Sequence, residues 1–171
     1  MEAVETVAIQ FEVNGRAHEV VVDPDERLVT MLRDRLGLTG VKETCSVGVC
    51  GVCSILVDGQ LLSACLLPAA HVDGRRVTTI EGIANGDDGL SLVQRSFIDN
   101  GGLQCGICTP GQVLAATALL AENPVPSIPD IVEWMTGNLC RCTGYYGIVS
   151  SILAASGRDP SDDFRPDIVE R

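Results

Sequence analysis

The chain has 171 residues, 46% of them hydrophobic, enough for a packed core in one ordinary domain or two small ones. Its 23 acidic against 12 basic side chains leave a formal net charge of −11, which argues against a surface built for nucleic acid or anionic lipid, because phosphate recognition needs clustered Lys and Arg. No segment approaches the roughly 20 apolar residues of a membrane span, and the opening MEAVETVAIQ lacks the basic and apolar regions of a leader. The expected setting is the cytoplasm, where eight cysteines read as metal ligands rather than as a disulfide framework.

Residues 7–13, VAIQFEV, alternate apolar with polar or small side chains; Asn14-Gly15 supplies a tight turn, and AHEVVVD returns as the second strand of a hairpin. Asp23-Pro24-Asp25 then offers helix-start chemistry, and Leu28, Met31, Leu32 and Leu36 recur at helical spacing up to Gly37. A glycine-containing, cysteine-bearing loop occupies about 40–53. After it, SILV, the turn Asp58-Gly59 and LLSAC predict a second hairpin, and RRVTTI a further strand. These elements make a small mixed sheet with one crossing helix.

Past Glu81 the pattern changes. IANGDDG reads as a turn-rich linker, followed by helical signals in SLVQRSFIDN, in PGQVLAATALLAEN with Pro110 in the first turn, in IPDIVEWMTGN and in TGYYGIVSSILAAS. Four short helices suit a small bundle. The expected class is therefore α+β, with a sheet-containing domain over 1–81, a helical domain over 82–160 and a polar C-terminal tail over 161–171.

The cysteines divide along the same line. Cys45, Cys50, Cys53 and Cys65 are spaced C-x4-C-x2-C-x11-C; Cys105, Cys108, Cys140 and Cys142 are spaced C-x2-C-x31-C-x1-C. The first spacing is that of plant-type ferredoxins, which hold a 2Fe-2S cluster by four thiolates. Gly48 and Gly51 suit a loop that wraps such a cluster, since glycine tolerates positive φ and lets backbone N–H groups approach sulfur. Zinc sites of four cysteines usually show two short knuckles, which the first group lacks. The second group, with C-x2-C at one end, suits zinc as well as a cluster, although its C-x-C end resists zinc. In the cluster reading Cys140 and Cys142 share one iron while Cys105 and Cys108 share the other, and Arg141 between them is either a charge offset or a solvated arginine. His18 and His71, the only histidines, read as solvated or packing residues, and Trp134 as core or interface.

Taken together, 45-CSVGVCGVC-53, 104-QCGICTPG-111 and 137-GNLCRCTGY-145 resemble the small iron-sulfur subunit of the xanthine dehydrogenase, or molybdenum hydroxylase, family. The likeness spans roughly residues 5–156 and rests on the eight cysteines together with Gly48, Gly51, Gln104, Thr109, Pro110, Gly111, Asn138, Arg141, Thr143 and Gly144. It implies a plant-ferredoxin-like (β-grasp) domain followed by a four-helix bundle, with one 2Fe-2S cluster in each. It further implies a large molybdopterin-binding partner beside the second cluster and a medium FAD-binding partner facing the first, assembled as a dimer of heterotrimers. Gln104 and Cys142 are the residues the resemblance assigns to the pterin, Cys142 while still binding iron. The implied function is electron relay from the molybdopterin centre through two clusters to FAD, with no substrate pocket in this chain; the rival is a free-standing two-cluster ferredoxin. Two departures stand out: Ser91-Leu92 where the family often has His-Pro, and Gln112 where an apolar residue is common.

Overall fold

The computed structural model describes residues 6–84 and 89–163. Strands β1 (Val7–Val13) and β2 (Arg16–Val22) pair antiparallel from Val7↔Val22 to Val13↔Arg16. Asn14 and Gly15 turn between them with φ of 51° and 77°, the doubly positive geometry whose twist matches a hairpin. Strands β3 (Ser54–Val57) and β4 (Gln60–Ser63) are joined in the same way through Asp58 and Gly59. Strand β5 (Arg76–Thr78), last in the chain, sits in the middle: it runs parallel to β1 and antiparallel to β3, giving the order β2-β1-β5-β3-β4.

The crossing helix begins later than the Asp23-Pro24-Asp25 signal predicts. Asp23 to Glu26 form a turn, with Glu26 N–H on the Asp23 carbonyl at 3.0 Å. Arg27 is extended (ψ 140°) and bridges Pro68, so helical geometry starts only at α1 (Leu28–Thr30). It widens at once into a π-helical stretch, Met31–Arg35, where the Leu36 N–H reaches back five residues to the Met31 carbonyl. Leu28, Val29, Met31 and Leu32 are all fully buried against Ile9, Phe11, Val13 and Ile55 of the sheet. Each such side chain contributes roughly 1.5–3 kcal/mol by leaving water, which is why this face is fixed even where the helix is irregular.

In the second half α2 (Leu92–Asp99), α3 (Thr109–Glu122), α4 (Ile128–Met135) and α5 (Tyr146–Ala155) enclose a separate core around Phe97, Leu119, Ile131, Ile148 and Ile152. Ser91, one of the departures noted above, caps α2: its hydroxyl accepts from Gln94 N–H while the Gln94 amide oxygen accepts from Ser91 N–H. Ser127 and Asp130 cap α4 reciprocally. Helix α3 is apolar nearly all round and buried from Gly111 to Ala116, because it packs on α2 and α4 on one side and on β3 and β4 on the other. The halves therefore share an interface.

Four residues of the expected linker, 85–88, lie outside the described residues, as do 164–171 of the expected tail. Pro160–Asp163 form one short helical turn, α6, in contact with α5. No helix among the described residues is long and apolar enough to cross a membrane.

Candidate metal centre

All eight cysteines are free thiols. The first set sits at the end of the sheet. Cys45 and Cys50 come from the loop, Cys53 from the last position before β3, and Cys65 from the turn after β4. Two anchors fix the loop: Arg33 Nη1 donates to the Val41 carbonyl at 2.6 Å, and the Glu43 carboxylate accepts from Arg27 and from Ser46 Oγ. The Ser46 hydroxyl, with Arg27 beside it, holds the Glu43 carboxyl below its ordinary value. Gly48 and Gly51 have φ of 73° and 67°, as a loop that turns its N–H groups inward requires. Those groups reach sulfur: the N–H of Val47 above all, and those of Cys50 and Val49, hold the Cys45 thiol down to about 6. Cys53 lies at the other extreme, pushed up to about 12 by burial. The Cys50 thiol neighbours Cys45, and the Cys65 thiol neighbours Cys53.

The second set gathers the loop before α3 and the loop between α4 and α5. One sulfur contact joins the two loops. Cys142 Sγ lies 3.4 Å from Cys105 Sγ, and the Cys140 thiol neighbours both Cys108 and Cys142. Cys140 is half-buried while Cys142, two residues on across a bend, is exposed, as is Cys105. Burial pushes Cys108 up to about 12, with the neighbouring Cys140 thiol adding to it. For Cys140 burial acts upward, but the Thr143 hydroxyl at 3.1 Å and the N–H groups of Thr143 and Cys142 bring it down to about 7. Cys105 is lowered by the Ile107 N–H and by Cys142. At Cys142 the Cys105 backbone acts downward, yet the hydrogen shared with Cys105 Sγ and burial raise it.

This arrangement fits a two-iron group. Each set offers four free thiols, and a 2Fe-2S cluster takes two thiolates on each of two irons. Backbone N–H groups already face sulfur in both sets. The Thr109 hydroxyl, next to Cys108, is buried without a partner, a donor that an added sulfur acceptor would satisfy.

The remaining candidates fall as follows. Gln104 is exposed beside Cys105, and Arg141 is exposed between Cys140 and Cys142. His18 stacks on Phe11 at 5.8 Å and His71 is exposed, so neither joins a site. Trp134 packs on the helical core and donates its indole N–H to the Ala115 carbonyl at 2.9 Å. Gln112, the second departure, is fully buried; its Nε2 donates to the Asn138 carbonyl at 2.5 Å while Oε1 has no partner. Sequence reasoning misses Tyr145 as a site residue, although it closes the motif 137-GNLCRCTGY-145: its hydroxyl accepts the Cys140 N–H at 2.9 Å.

Fold and free thiols together fit the class of iron-sulfur proteins. Two family profiles match the chain: a 2Fe-2S iron-sulfur cluster binding domain over residues 11–78, and a 2Fe-2S binding domain over 79–153. The xanthine dehydrogenase iron-sulfur-binding subunit of Escherichia coli O157:H7 is 43% identical over 152 residues, which cover 87% of this chain and 94% of that one. The small FeS subunit of nicotinate dehydrogenase from Eubacterium barkeri is 43% identical, covering 89% and 96%. Among solved structures, a chain of quinoline 2-oxidoreductase from Pseudomonas putida 86 superposes with a TM-score of 0.84 at 40% identity, covering 93% and 99%. The chain belongs to the xanthine dehydrogenase, or molybdenum hydroxylase, family, as its small iron-sulfur subunit.

Proposed function

We propose that the chain relays electrons one at a time, through two 2Fe-2S clusters, between a molybdopterin centre and FAD held by separate large and medium subunits of a hydroxylase or dehydrogenase. The observation that carries this reading is the division of eight free thiols into two sets on separate elements, four around the sheet and four on the loops of the helical half, the latter drawn together by the 3.4 Å approach of Cys142 Sγ to Cys105 Sγ. Cys45, Cys50, Cys53 and Cys65 hold the first cluster; Cys105, Cys108, Cys140 and Cys142 hold the second. When bound, each cluster supplies reversible one-electron chemistry. The protein's part is to supply thiolates, aim N–H groups at sulfur and hold the two sites at a fixed separation.

The finer architecture follows the same reading: a plant-ferredoxin-like domain over 1–81, a four-helix bundle of α2 to α5 over 82–160, and a tail over 161–171. The exposed Cys105/Cys142 edge and the adjacent exposed Gln104 support contact with the pterin of the large subunit. Leu92, Ile98 and Ile107, each half-exposed or more in the same half, support a covering partner chain over a free-standing carrier, since a lone ferredoxin would leave them in water. The free thiols suit a cytoplasmic setting, and a dimer of heterotrimers is the proposed assembly.

Purification of the chain from its native host, with iron and acid-labile sulfide analysis and EPR of the reduced sample, tests the reading. Two distinct reducible 2Fe-2S signals and co-purification with two larger chains are expected. Zinc in place of iron, or two clusters in a chain that runs alone, would overturn it.

A further inference from the structure

The two cysteine loops meet at a buried junction. Asn138, 3% exposed, stands two residues before Cys140. Its amide nitrogen donates to the Gly51 carbonyl at 2.9 Å and to Ser54 Oγ at 3.3 Å, bonds that join residues 87 and 84 positions apart. Ser54 Oγ donates in turn to the Gly51 carbonyl at 2.7 Å. On the helical side the Asn138 carbonyl accepts from the buried Gln112 and its N–H donates to Met135 at 3.0 Å. The next residue, Leu139, donates its N–H to the Cys50 carbonyl at 2.9 Å. One asparagine thus grips Gly51 and Ser54, on either side of Cys53, with its side chain, while its main chain leads into Cys140.

The junction also has no slack. A methyl group on Gly51 would strike the Gly137 carbonyl and the Asn138 amide; one on Gly111, at the start of α3, would strike the carbonyls of Gly51 and Val52. The approach is therefore limited by main chain, which cannot move aside as a side chain can, and held closed by directional hydrogen bonds in a water-excluded place, where they are strongest. An apolar side chain at 138 would fill the space without fixing the register. An aspartate would set a carboxylate against the Gly51 carbonyl.

We propose that Asn138 is a positioning residue for electron transfer within the chain: its amide clamps the first cysteine loop to the second and fixes the separation of the two sites, with Gly51 and Gly111 as the stop that sets it. This rests on the reading of the two cysteine sets as cluster ligands. Transfer between fixed centres weakens steeply with distance, so a clamp that holds them closest determines the internal rate.

The test uses the complete heteromeric complex carrying Asn138→Ala or, separately, Gly111→Ala. Three readouts are taken: iron and sulfide content, the spin-spin splitting between the two reduced clusters in low-temperature EPR, and hydrogen exchange at the Leu139 amide. Expected in Asn138→Ala are full cluster content, a smaller or broadened splitting, Leu139 exchange about tenfold faster, and slower redistribution of electrons between the clusters after rapid reduction. Gly111→Ala, which wedges the junction without removing any group of Asn138, is expected to give the same splitting change. Parent-like splitting and Leu139 protection in Asn138→Ala with both clusters present would overturn the proposal. So would a parent-like splitting in Gly111→Ala, the deciding variant if Asn138→Ala loses iron. Failure of the underlying reading looks different: the parent complex itself would lack two cluster signals.

Discussion

Tyr145 accepts the backbone N–H of Cys140 on its phenolic oxygen at 2.9 Å, and it does so from a left-handed backbone conformation, φ 69°. That conformation is uncommon for a bulky residue and costs about 1–2 kcal/mol. Here it starts α5 while turning the ring back over the cysteine loop, where the hydroxyl also lies 3.4 Å from the Asn138 carbonyl. Tyr145→Phe keeps the ring and removes both contacts. The expected loss is about 1 kcal/mol in chemical denaturation, together with, on the proposed assignment of Cys140 as a cluster ligand, a shifted midpoint potential for the second cluster only, because hydrogen bonds near sulfur tune potential. Redox titration followed by EPR checks it; an unchanged potential would show that the phenol is purely structural.

The separation of the two cysteine sets predicts independent loss. Cys65→Ser removes a buried thiol from the first set, and Cys108→Ser a half-buried one from the second. Each variant is expected to keep one EPR signal at full intensity and lose the other, with iron content falling to about half. Simultaneous loss of both signals in both variants would mean that the sites fold as one unit.

Much of this was open to sequence reading because it is set locally. Asn14-Gly15 and Asp58-Gly59 can serve in few structures other than hairpin turns, and both do so. The cysteine spacing separates two sets of four, and the capping box at Ser91 and Gln94 carries a readable S-x-x-Q pattern that periodicity alone passes over. What stayed hidden depends on contacts between distant residues. The π-helical widening after Thr30 is shaped by packing against the sheet, and the late start of α1 by the bridge from Arg27 to Pro68. The approach of Cys142 to Cys105 needs two loops brought together by different helices. The grip of Asn138 on Gly51 joins the two halves, and nothing in either segment names its partner.

Gly48 and Gly51 both look like cluster-loop glycines, but they meet different neighbours. A Cβ on Gly48 would touch the end of the Leu66 side chain, which is 59% exposed and free to turn away. A Cβ on Gly51 would meet the Gly137 carbonyl, which is main chain. Gly48→Ala is therefore expected to cost about 1–2 kcal/mol, the price of its positive φ alone, and Gly51→Ala clearly more. Denaturation curves of the two variants, run beside the parent, give the ordering; equal costs would mean that the junction yields.

Asp130 carries the clearest pH dependence away from the cysteines. The Ser127 hydroxyl and N–H hold its carboxyl below the ordinary value, and its place in the first turn of α4 adds the helix dipole. Because the folded-state value is depressed, the charged carboxylate stabilises the cap at any pH above the unfolded value of about 3.9, and this is lost as pH falls through the folded value. Asp130→Asn keeps an acceptor for Ser127 but removes the charge. In acid titrations of the metal-free chain followed by circular dichroism, the stability difference between parent and variant is expected to be constant above about pH 5 and to vanish in stronger acid. Added salt should shrink it, since the group is exposed. A difference that persists undiminished in strong acid would assign the effect to hydrogen-bond geometry instead of charge.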